Sequence, residues 1–359
     1  MQNILTSPNL CQIYAQAEHE KVVLWSDPAS DYRGIIAIHS TALGPAVGGT
    51  RFWHYASDEA ATLDALRLSR AMSYKNALAG LPFGGGKAII VGNGAAVDRE
   101  KLFRAHGRFV DSFAGGFITG EDVGTTPNDM EYIRMETPHV AGLPGGSGDP
   151  SPITALGVFR ALQASAMHRW GSLDLSKRTI AIQGCGKTGY ELARQLYQTG
   201  AKLIVSDVEA RTVKQVVDDF AASAVAPEEI FGVRADIFAP CALGGIINDE
   251  TVPQLNVEIV VGSANNQLLE DRHGESLHEL GILYTPDYVA NAGGVINGCR
   301  EVLGWPEKET KQAVHRIYDT LLTIFELAGT ETPPFKVANQ FAERILHAKK
   351  KSNPTAVSL

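Results

Sequence analysis

The sequence predicts an α/β protein in two parts: an N-terminal α/β domain and a second domain with a doubly wound parallel sheet, with a cleft between them. Three observations predict this. Beyond residue 153, short apolar strands alternate with helical stretches. Before it, strands and amphipathic helices mix without that rhythm. Between the two lies GLPGGSGDPSP (142–152), dominated by Gly, Pro and Ser, which reads as a linker or hinge. The boundaries that follow are 1–148, joined by a C-terminal helix at about 332–359, and 149–331.

Taken in order, GIIAIHST (34–41) reads as a strand. Residues 58–79 read as a helix, with Ala61, Ala65, Leu68 and Met72 on one face and Ser57 or Asp58 as N-cap. KAIIVG (87–92) is a strand starting at Lys87, preceded by a Gly84-Gly85-Gly86 loop. Residues 98–113 form a helix, and GGFITGEDVG (115–124) a strand running into a loop. A helix at 153–168 then leads into strands at 179–183, 202–206, 235–239, 258–262 and 281–284. Helices near 308–328 and 335–349 follow, the last expected to pack back on the N-terminal domain. The KKK run (349–351) and the SNPTAVSL tail read as a solvated end.

The chain has 359 residues, 44% of them apolar and 20% charged, which is ordinary globular composition and enough for two domains. A net charge of −8 argues against nucleic acid or an anionic membrane as partner. No stretch has the run of about eighteen apolar residues that a membrane span needs. The N-terminus, MQNILTSPNLCQIY, lacks the cationic and long apolar segments of a secretory signal. Cys11, Cys185, Cys241 and Cys299 are scattered without CxxC spacing and read as reduced thiols of a cytoplasmic protein. There is no HExxH, and His273 and His278, five apart, read as surface residues, so no metal is expected.

The second domain opens on RTIAIQGCGKTGYELARQL, which contains Gly184-x-Gly186-x-x-Gly189. Alone this pattern is weak. Here it follows an apolar strand, opens a helix, and precedes a second strand that ends at Asp207. That is the context of a Rossmann-type dinucleotide site: glycines allow a tight turn and let a pyrophosphate approach the helix N-terminus. Asp207 would accept hydrogen bonds from a ribose 2′-hydroxyl and repel a 2′-phosphate, favouring NAD over NADP; Arg211 nearby is the one feature pulling the other way. The GKT at 186–188 resembles the end of a phosphate-binding NTPase loop, but that motif needs a glycine where Ala181 stands.

Lys75 and Lys87 flank the triple glycine in MSYKNALAGLPFGGGKAII. A hydride-transfer site needs a fixed charge to anchor its substrate and a group to move protons. Two lysines on facing elements can divide that labour, because burial beside a second cation lowers an ammonium pKa toward neutrality. In FITGEDVGTT, Glu121-Asp122 adds a carboxylate pair at a strand end, able to shuttle a proton or to serve as a turn or cap residue. GSANNQL (262–268) and NAGGVIN (291–297) add amides and glycines where a ligand on the carboxyl edge of the sheet would meet them.

Together LGPAVGGTR (43–51), MSYKNALAGLPFGGGKA (72–88), EDVGTT (121–126), PCALGG (240–245), GSANNQL and PDYVANAGGVIN (286–297) strongly resemble the glutamate, leucine, phenylalanine and valine dehydrogenase family, nearly end to end. The resemblance is closest to leucine and phenylalanine dehydrogenases. It implies reversible, NAD-linked oxidative deamination of an L-amino acid to its 2-oxo acid and ammonia. It further implies that Lys75 binds the substrate carboxylate with help from backbone N–H groups at Gly48 and Gly49. Lys87 would activate the water that attacks the iminium carbon, Asp122 would handle the amine proton, and Asn265 or Asn266 would orient substrate and nicotinamide. The cofactor set implied is Gly184, Cys185, Gly186, Lys187, Thr188, Gly189, Asp207, Val208, Cys241, Ala242, Asn265 and Asn291. Homo-oligomers, octamers or dimers, are expected by the same resemblance.

Glutamate dehydrogenases carry a lysine where this chain has Val47, so glutamate is disfavoured. The remaining pocket positions carried over are Gly120, Val295 and Gly298. Leucine dehydrogenases resemble Leu, Ala, Val and Val at these four places, so the pocket here is larger by five carbons. That favours a bulky apolar or aromatic substrate, phenylalanine first and tryptophan next, with leucine as the alternative. Two other classes compete: an inactive NAD-binding regulator, which would be expected to have lost Lys75, Lys87 or Asp122, and a hydroxy-acid dehydrogenase, which would use a His with an Arg anchor.

Overall fold

A computed structural model describes residues 18–92, 98–143 and 145–352. The N-terminal stretch with Cys11, Pro144 of the linker, and the tail from 353 onward lie outside the described residues. The chain separates into two compact units, Met1–Gly148 with Glu301–Gly304 and Ala342–Leu359, and Asp149–Arg300 with Trp305–Phe341.

The first unit is built on a mixed sheet. Strands β1 (Lys21–Asp27), β2 (Tyr32–Ser40), β3 (Ala46–Val47), β4 (Thr50–Trp53), β5 (Gly84–Val91) and β6 (Phe117–Ile118) run in the order β1-β2-β5-β3-β6, with β4 also beside β5. β1 and β2, and β2 and β5, are antiparallel, whereas β3 and β4 run parallel to β5 and β6 runs parallel to β3. Helix α1 (Asp58–Leu78) starts where expected, because the Ser57 side chain accepts from Ala60 N–H and Asp58 and Glu59 oppose the helix dipole. Helices α2 (Arg99–Asp111) and α3 (Pro127–Arg134) complete the unit.

The two-residue period of a strand sorts the side chains onto two faces. Ile35, Ala37 and Ile89 pack on Ala61, Ala65 and Leu66 of α1. Ile36, Ile38, Ala88 and Ile90 pack on Phe103 and Phe109 of α2 and on Met130 and Ile133 of α3. Lys87 and Arg51 share the α1 face, since Lys87 is two residues from Ile89 and Arg51 stands opposite Ile89. Thr50, opposite Ala88, shares the other.

One expectation is corrected here. Gly84-Gly85-Gly86 is not a loop before the strand; it is the first part of β5 and is buried. A Cβ at Gly84 would lie 1.9 Å from Ser40 O, at Gly85 2.1 Å from Ser73 N, and at Gly86 2.7 Å from the Phe117 ring. The glycines therefore let β5 sit directly against α1 and its sheet neighbours.

The second unit is a parallel sheet in the order β12-β11-β10-β7-β8-β9. Its strands are β7 (Thr179–Gln183), β8 (Lys202–Ser206), β9 (Ser223–Ala224), β10 (Ile237–Pro240), β11 (Ile259–Val260) and β12 (Leu283–Tyr284). Every pair is parallel, so the doubly wound expectation holds. Its helices are α4 (Ser151–Trp170), α5 (Lys187–Gln198), α6 (Ala210–Phe220), α7 (Asp271–Glu279), α8 (Asp287–Ala290), α9 (Gly293–Leu303, up to Arg300), α10 (Glu307–Ala328) and α11 (Pro334–Ser352, up to Phe341). The chain leaves this unit for the last time inside α11. Phe335 packs with Phe238, Leu277 and Tyr284, and Asn339 accepts from Tyr288 Oη–H at 2.7 Å, whereas Glu343 accepts from Tyr74 Oη–H in the first unit at 2.5 Å.

His273 also departs from expectation. It is buried at 2% exposure, because its Nδ1 accepts from Glu270 N–H to close the first turn of α7 and its Nε2 lies 3.3 Å from Asp249. Among the described residues no helix is long and apolar enough to cross a membrane.

Candidate active site

The chemistry in the first unit gathers around Asp122. Lys87 Nζ and Arg51 Nε both lie 2.9 Å from Asp122 Oδ2. Lys87 is 5% exposed, held in β5 on the α1 face of the sheet. Burial lowers its pKa, the Asp122 charge opposes that shift, and Arg51 adds to it. The expected lowering, burial beside a second cation, has burial as its largest cause, and Arg51 is the neighbouring cation that contributes. For Asp122 burial favours the neutral acid, but Lys87 and Arg51 outweigh it and hold the carboxyl below its ordinary value.

Lys75 is half-buried in the last turn of α1. Its placement follows from its neighbours: Ser73 packs against Gly85, and Asn76 Nδ2 donates to Gly84 O at 2.6 Å. The glycine pair Gly48-Gly49 separates β3 from β4 opposite Gly86 and Lys87, between the pairs Val47–Gly85 and Thr50–Ala88. A Cβ on Gly48 would lie 1.8 Å from Gly86 O, and on Gly49 2.5 Å from Glu121 O. Gly48 N–H already donates to Ile118 O at 3.2 Å. It is thus committed to the sheet, and of the two amides expected to cradle a carboxylate only that of Gly49 keeps the expectation.

The EDVGTT loop is fixed by its own turn chemistry. Asp122 N–H donates to Thr125 Oγ1 at 2.9 Å, and Thr126 caps α3 in a reciprocal box with Asp129. Arg99 clamps Asp129 and donates to Gly124 O at 3.0 Å. Behind β4, a buried chain links Tyr32 Oη to His106 Nδ1 at 2.7 Å, His106 Nε2 to Thr50 Oγ1 at 2.8 Å, and Thr50 Oγ1 to Thr119 Oγ1 at 2.6 Å. Burial holds His106 neutral, its pKa lowered to about 3.

In the second unit, strand order reverses between β7 and β10, and both strands' carboxyl ends bear expected cofactor residues. The Gly184 turn has φ +102°, and a Cβ there would lie 2.8 Å from Ala242 N and from Cys241 C. Gly189 is closed by Gly184 O at 1.9 Å, whereas a Cβ on Gly186 would meet open space. Gly186 is the N-cap of α5, and no side chain among the described residues caps that helix start. Lys187 pairs with Asp149 at 3.4 Å. The Asp207 carboxylate accepts from Cys185 N–H at 2.6 Å and Glu209 N–H at 2.9 Å, which leaves lone pairs on both oxygens. Val208 beside it is 90% exposed. An uncapped helix N-terminus, a turn open at Gly186 and an adjacent carboxylate fit a dinucleotide. Gly184, Gly186, Gly189 and the start of α5 with Lys187 and Thr188 would take its phosphates, and Asp207 its ribose.

Cys185 contributes through its backbone; its thiol is buried and pushed up to about 12. Burial also raises the Cys241 thiol. Asn291, 4% exposed, donates to Asn265 Oδ1 at 2.7 Å and to Ser263 O at 3.2 Å, while its own Oδ1 is buried with no partner among the described residues. Asn266 sits at φ +52° with its carbonyl accepting from Gly245 N–H, so of the two candidate asparagines Asn265 has the oriented side chain and Asn266 makes the turn. Val47 and Gly120 are half-buried in the first unit, and Val295 and Gly298 in the second. A Cβ at Gly120 would be 3.5 Å from Ala141 O, and one at Gly298 would meet nothing within 4 Å. Arg51, Asp64 and Tyr55 were missed as site residues. The one signal was Arg51 itself, a charge directly after Gly48-Gly49-Thr50.

Residues 19–139 match the family described as Glu/Leu/Phe/Val dehydrogenase, dimerisation domain, and residues 205–342 match Glutamate/Leucine/Phenylalanine/Valine dehydrogenase. The chain belongs to this family. It is an amino acid dehydrogenase, an oxidoreductase. It is 48% identical to leucine dehydrogenase of Geobacillus stearothermophilus, covering 93% of this chain and 92% of that protein. It is 44% identical to phenylalanine dehydrogenase of Caldalkalibacillus thermarum, covering 94% of each. The crystal structure of L-tryptophan dehydrogenase from Nostoc punctiforme superposes with a TM-score of 0.87 at 45% identity, covering 96% of this chain and 100% of that one.

Proposed function

We propose that this amino acid dehydrogenase catalyses the NAD-dependent, reversible oxidative deamination of an apolar L-amino acid to its 2-oxo acid and ammonia. The observation that carries the reading is the buried contact of Lys87 with Asp122, a cation whose pKa is lowered beside a carboxylate held charged. When bound, NAD accepts hydride from the substrate α-carbon. Lys75 anchors the substrate carboxylate, with Gly49 N–H beside it. Asp122 takes the amine proton, its carboxylate being ionised throughout the working range. Lys87, biased toward its neutral form by burial, removes a proton from the water that adds to the imine carbon and returns it to the departing ammonia. Asn265, oriented by Asn291, positions the reacting face.

For the side chain we propose a bulky or aromatic substrate, phenylalanine first and tryptophan next. The open space at Gly298 and the ordinary contact a Cβ would make at Gly120 support it. Leucine is the second reading, supported by the 48% identity to a leucine dehydrogenase. A cytoplasmic homo-oligomer belongs to the same proposal. The test is NADH formation with NAD and L-phenylalanine, L-tryptophan, L-leucine, L-valine and L-glutamate, compared by kcat/KM. Preference for the aromatics supports the first reading, and preference for leucine the second. Silence on all five with NAD still bound would leave a regulator.

A further inference from the structure

Asp122 is addressed by two cations, and the second is itself built in. Arg51 Nε lies 2.9 Å from Asp122 Oδ2, while its Nη1 lies 2.7 Å from Asp64 Oδ2. That same Asp64 oxygen accepts from Tyr55 Oη–H at 2.6 Å, and Arg67 stands 3.6 Å from the other. The Arg51 and Asp64 side chains are only 21% and 14% exposed, so the guanidinium is clamped between two carboxylates. Both cations reach Oδ2 of Asp122 rather than dividing between its two oxygens.

We propose that Arg51 is a positioning residue: with Lys87 it pins Asp122 Oδ2 so that Oδ1 is presented to the substrate amine, and Asp64 and Tyr55 hold the guanidinium for that task. This rests on the reading of Asp122 as acceptor of the amine proton. Arginine suits the place because its planar fork spans two carboxylates at once, which the single ammonium of lysine cannot do. The sheet supplies the aim, since Arg51 stands opposite Ile89 on the α1 face, where Asp64 of α1 also lies.

Arg51 has an electrostatic consequence with a fixed sign. The charged groups facing Asp122 are Lys87 from β5, Arg51 from β4 and Asp64 from α1, with Tyr55 behind them and Glu121 next along the chain. Arg51 lowers both the Asp122 and Lys87 pKa values, and Asp64 raises that of Lys87. Removing the Arg51 charge therefore moves the acid limb of kcat/KM to higher pH, whichever of the two groups governs it. Removing the Asp64 charge moves it the other way. Asp64→Asn is the clean variant, because the amide oxygen still accepts from Arg51 and Tyr55.

The experiment measures kcat, KM and the pH profile of kcat/KM for the wild type, Arg51→Met, Arg51→Lys and Asp64→Asn, with a thermal melt of each. For Arg51→Met, kcat is expected to fall on the order of 10²-fold while KM changes far less. Its acid limb should rise by about one unit, and free guanidinium should restore part of the rate. Arg51→Lys should keep the limb near wild type without recovering kcat, and Asp64→Asn should shift the limb down. An Arg51→Met enzyme that loses rate with an unmoved limb, a lowered melting temperature and no guanidinium rescue would make Arg51 structural and overturn the proposal. If Arg51→Met does not fold, an Asp64→Asn limb that stays or rises overturns it instead. A wild type inactive on every amino acid overturns the functional reading and this proposal together; an active wild type with the wrong variant pattern overturns only this one.

Discussion

Gly85→Ala tests whether packing, rather than local sequence, sets the distance between the two lysines. A Cβ at Gly85 would lie 2.1 Å from Ser73 N and 2.3 Å from Ser73 Oγ, a shortfall of 1.3 Å against the 3.4 Å where ordinary contact begins. Ser73 N belongs to the helix backbone, so the clash cannot be relieved by a rotamer change. Either α1 backs away from β5 or the strand bends, and Lys75, two residues from Ser73, moves with the helix. Overpacking of this kind costs about 1–3 kcal/mol, a loss that a protein with about 5–15 kcal/mol in hand survives. A displacement near 1 Å at a reacting geometry costs on the order of 10²-fold in rate. The assay is kcat/KM per folded molecule, from an active-site titration and a thermal melt on one preparation. Gly232→Ala serves as the control, since its Cβ would make only an ordinary contact, 3.8 Å from Glu229 O, away from the proposed site. A Gly85→Ala enzyme with a lowered melting temperature and unchanged kcat/KM would refute the idea that this glycine governs the lysine pair.

Lys87→Met should cut kcat by about 10²–10⁴-fold, read by steady-state kinetics, with the fold retained because Arg51 still pairs Asp122 at 2.9 Å. Gly120→Ala combined with Gly298→Val should move the kcat/KM ratio of phenylalanine to leucine toward leucine on the order of 10²-fold, at about 0.8 kcal/mol per added carbon. The His106 pKa is about 3 folded against 6.5 unfolded, so as pH falls below 6.5 the unfolded chain takes up a proton that the folded one refuses. Stability should therefore drop by up to about 1.4 kcal/mol per pH unit from this group, toward pH 3. Urea midpoints across that window should fall less steeply in His106→Gln. His39, also lowered to about 3, keeps its own share of the slope.

The parallel strands were legible because they are short, continuously apolar runs set between helical stretches. Ser57 marks the start of α1, and the strands at 179–183 and 202–206 coincide with their expected limits. What was not legible lacks period or length. β1 is an edge strand with Leu24 and Trp25 outward, so no alternation survives, and β3 has only two residues before Gly48-Gly49 breaks it. The triple glycine was taken for a loop because glycine usually marks one; here the close approach of Ser73 demands it inside a strand. His273 was misplaced for a related reason, since a capping role buries a histidine without leaving a spacing signature. At the site, Lys75, Lys87 and Asp122 stood out as charges in apolar or glycine-rich sequence. Arg51 did not, because its importance lies in which oxygen it shares, and pairing across a sheet cannot be read from one strand.

The glycines carried over to the proposed site fall into two kinds. Those at 48, 84, 85 and 86 of the first unit are closed, with backbone or a packed ring where a side chain would begin, while Gly120 leaves ordinary contact distance for a Cβ and Gly298 of the second unit leaves open space. An enzyme divided in this way has separated what it can vary from what it cannot. Random substitution at the closed positions damages the scaffold before it can reach selectivity. At Gly120 and Gly298 a first carbon meets no such obstacle. A library intended to retune this dehydrogenase would do best to saturate two codons and leave four untouched.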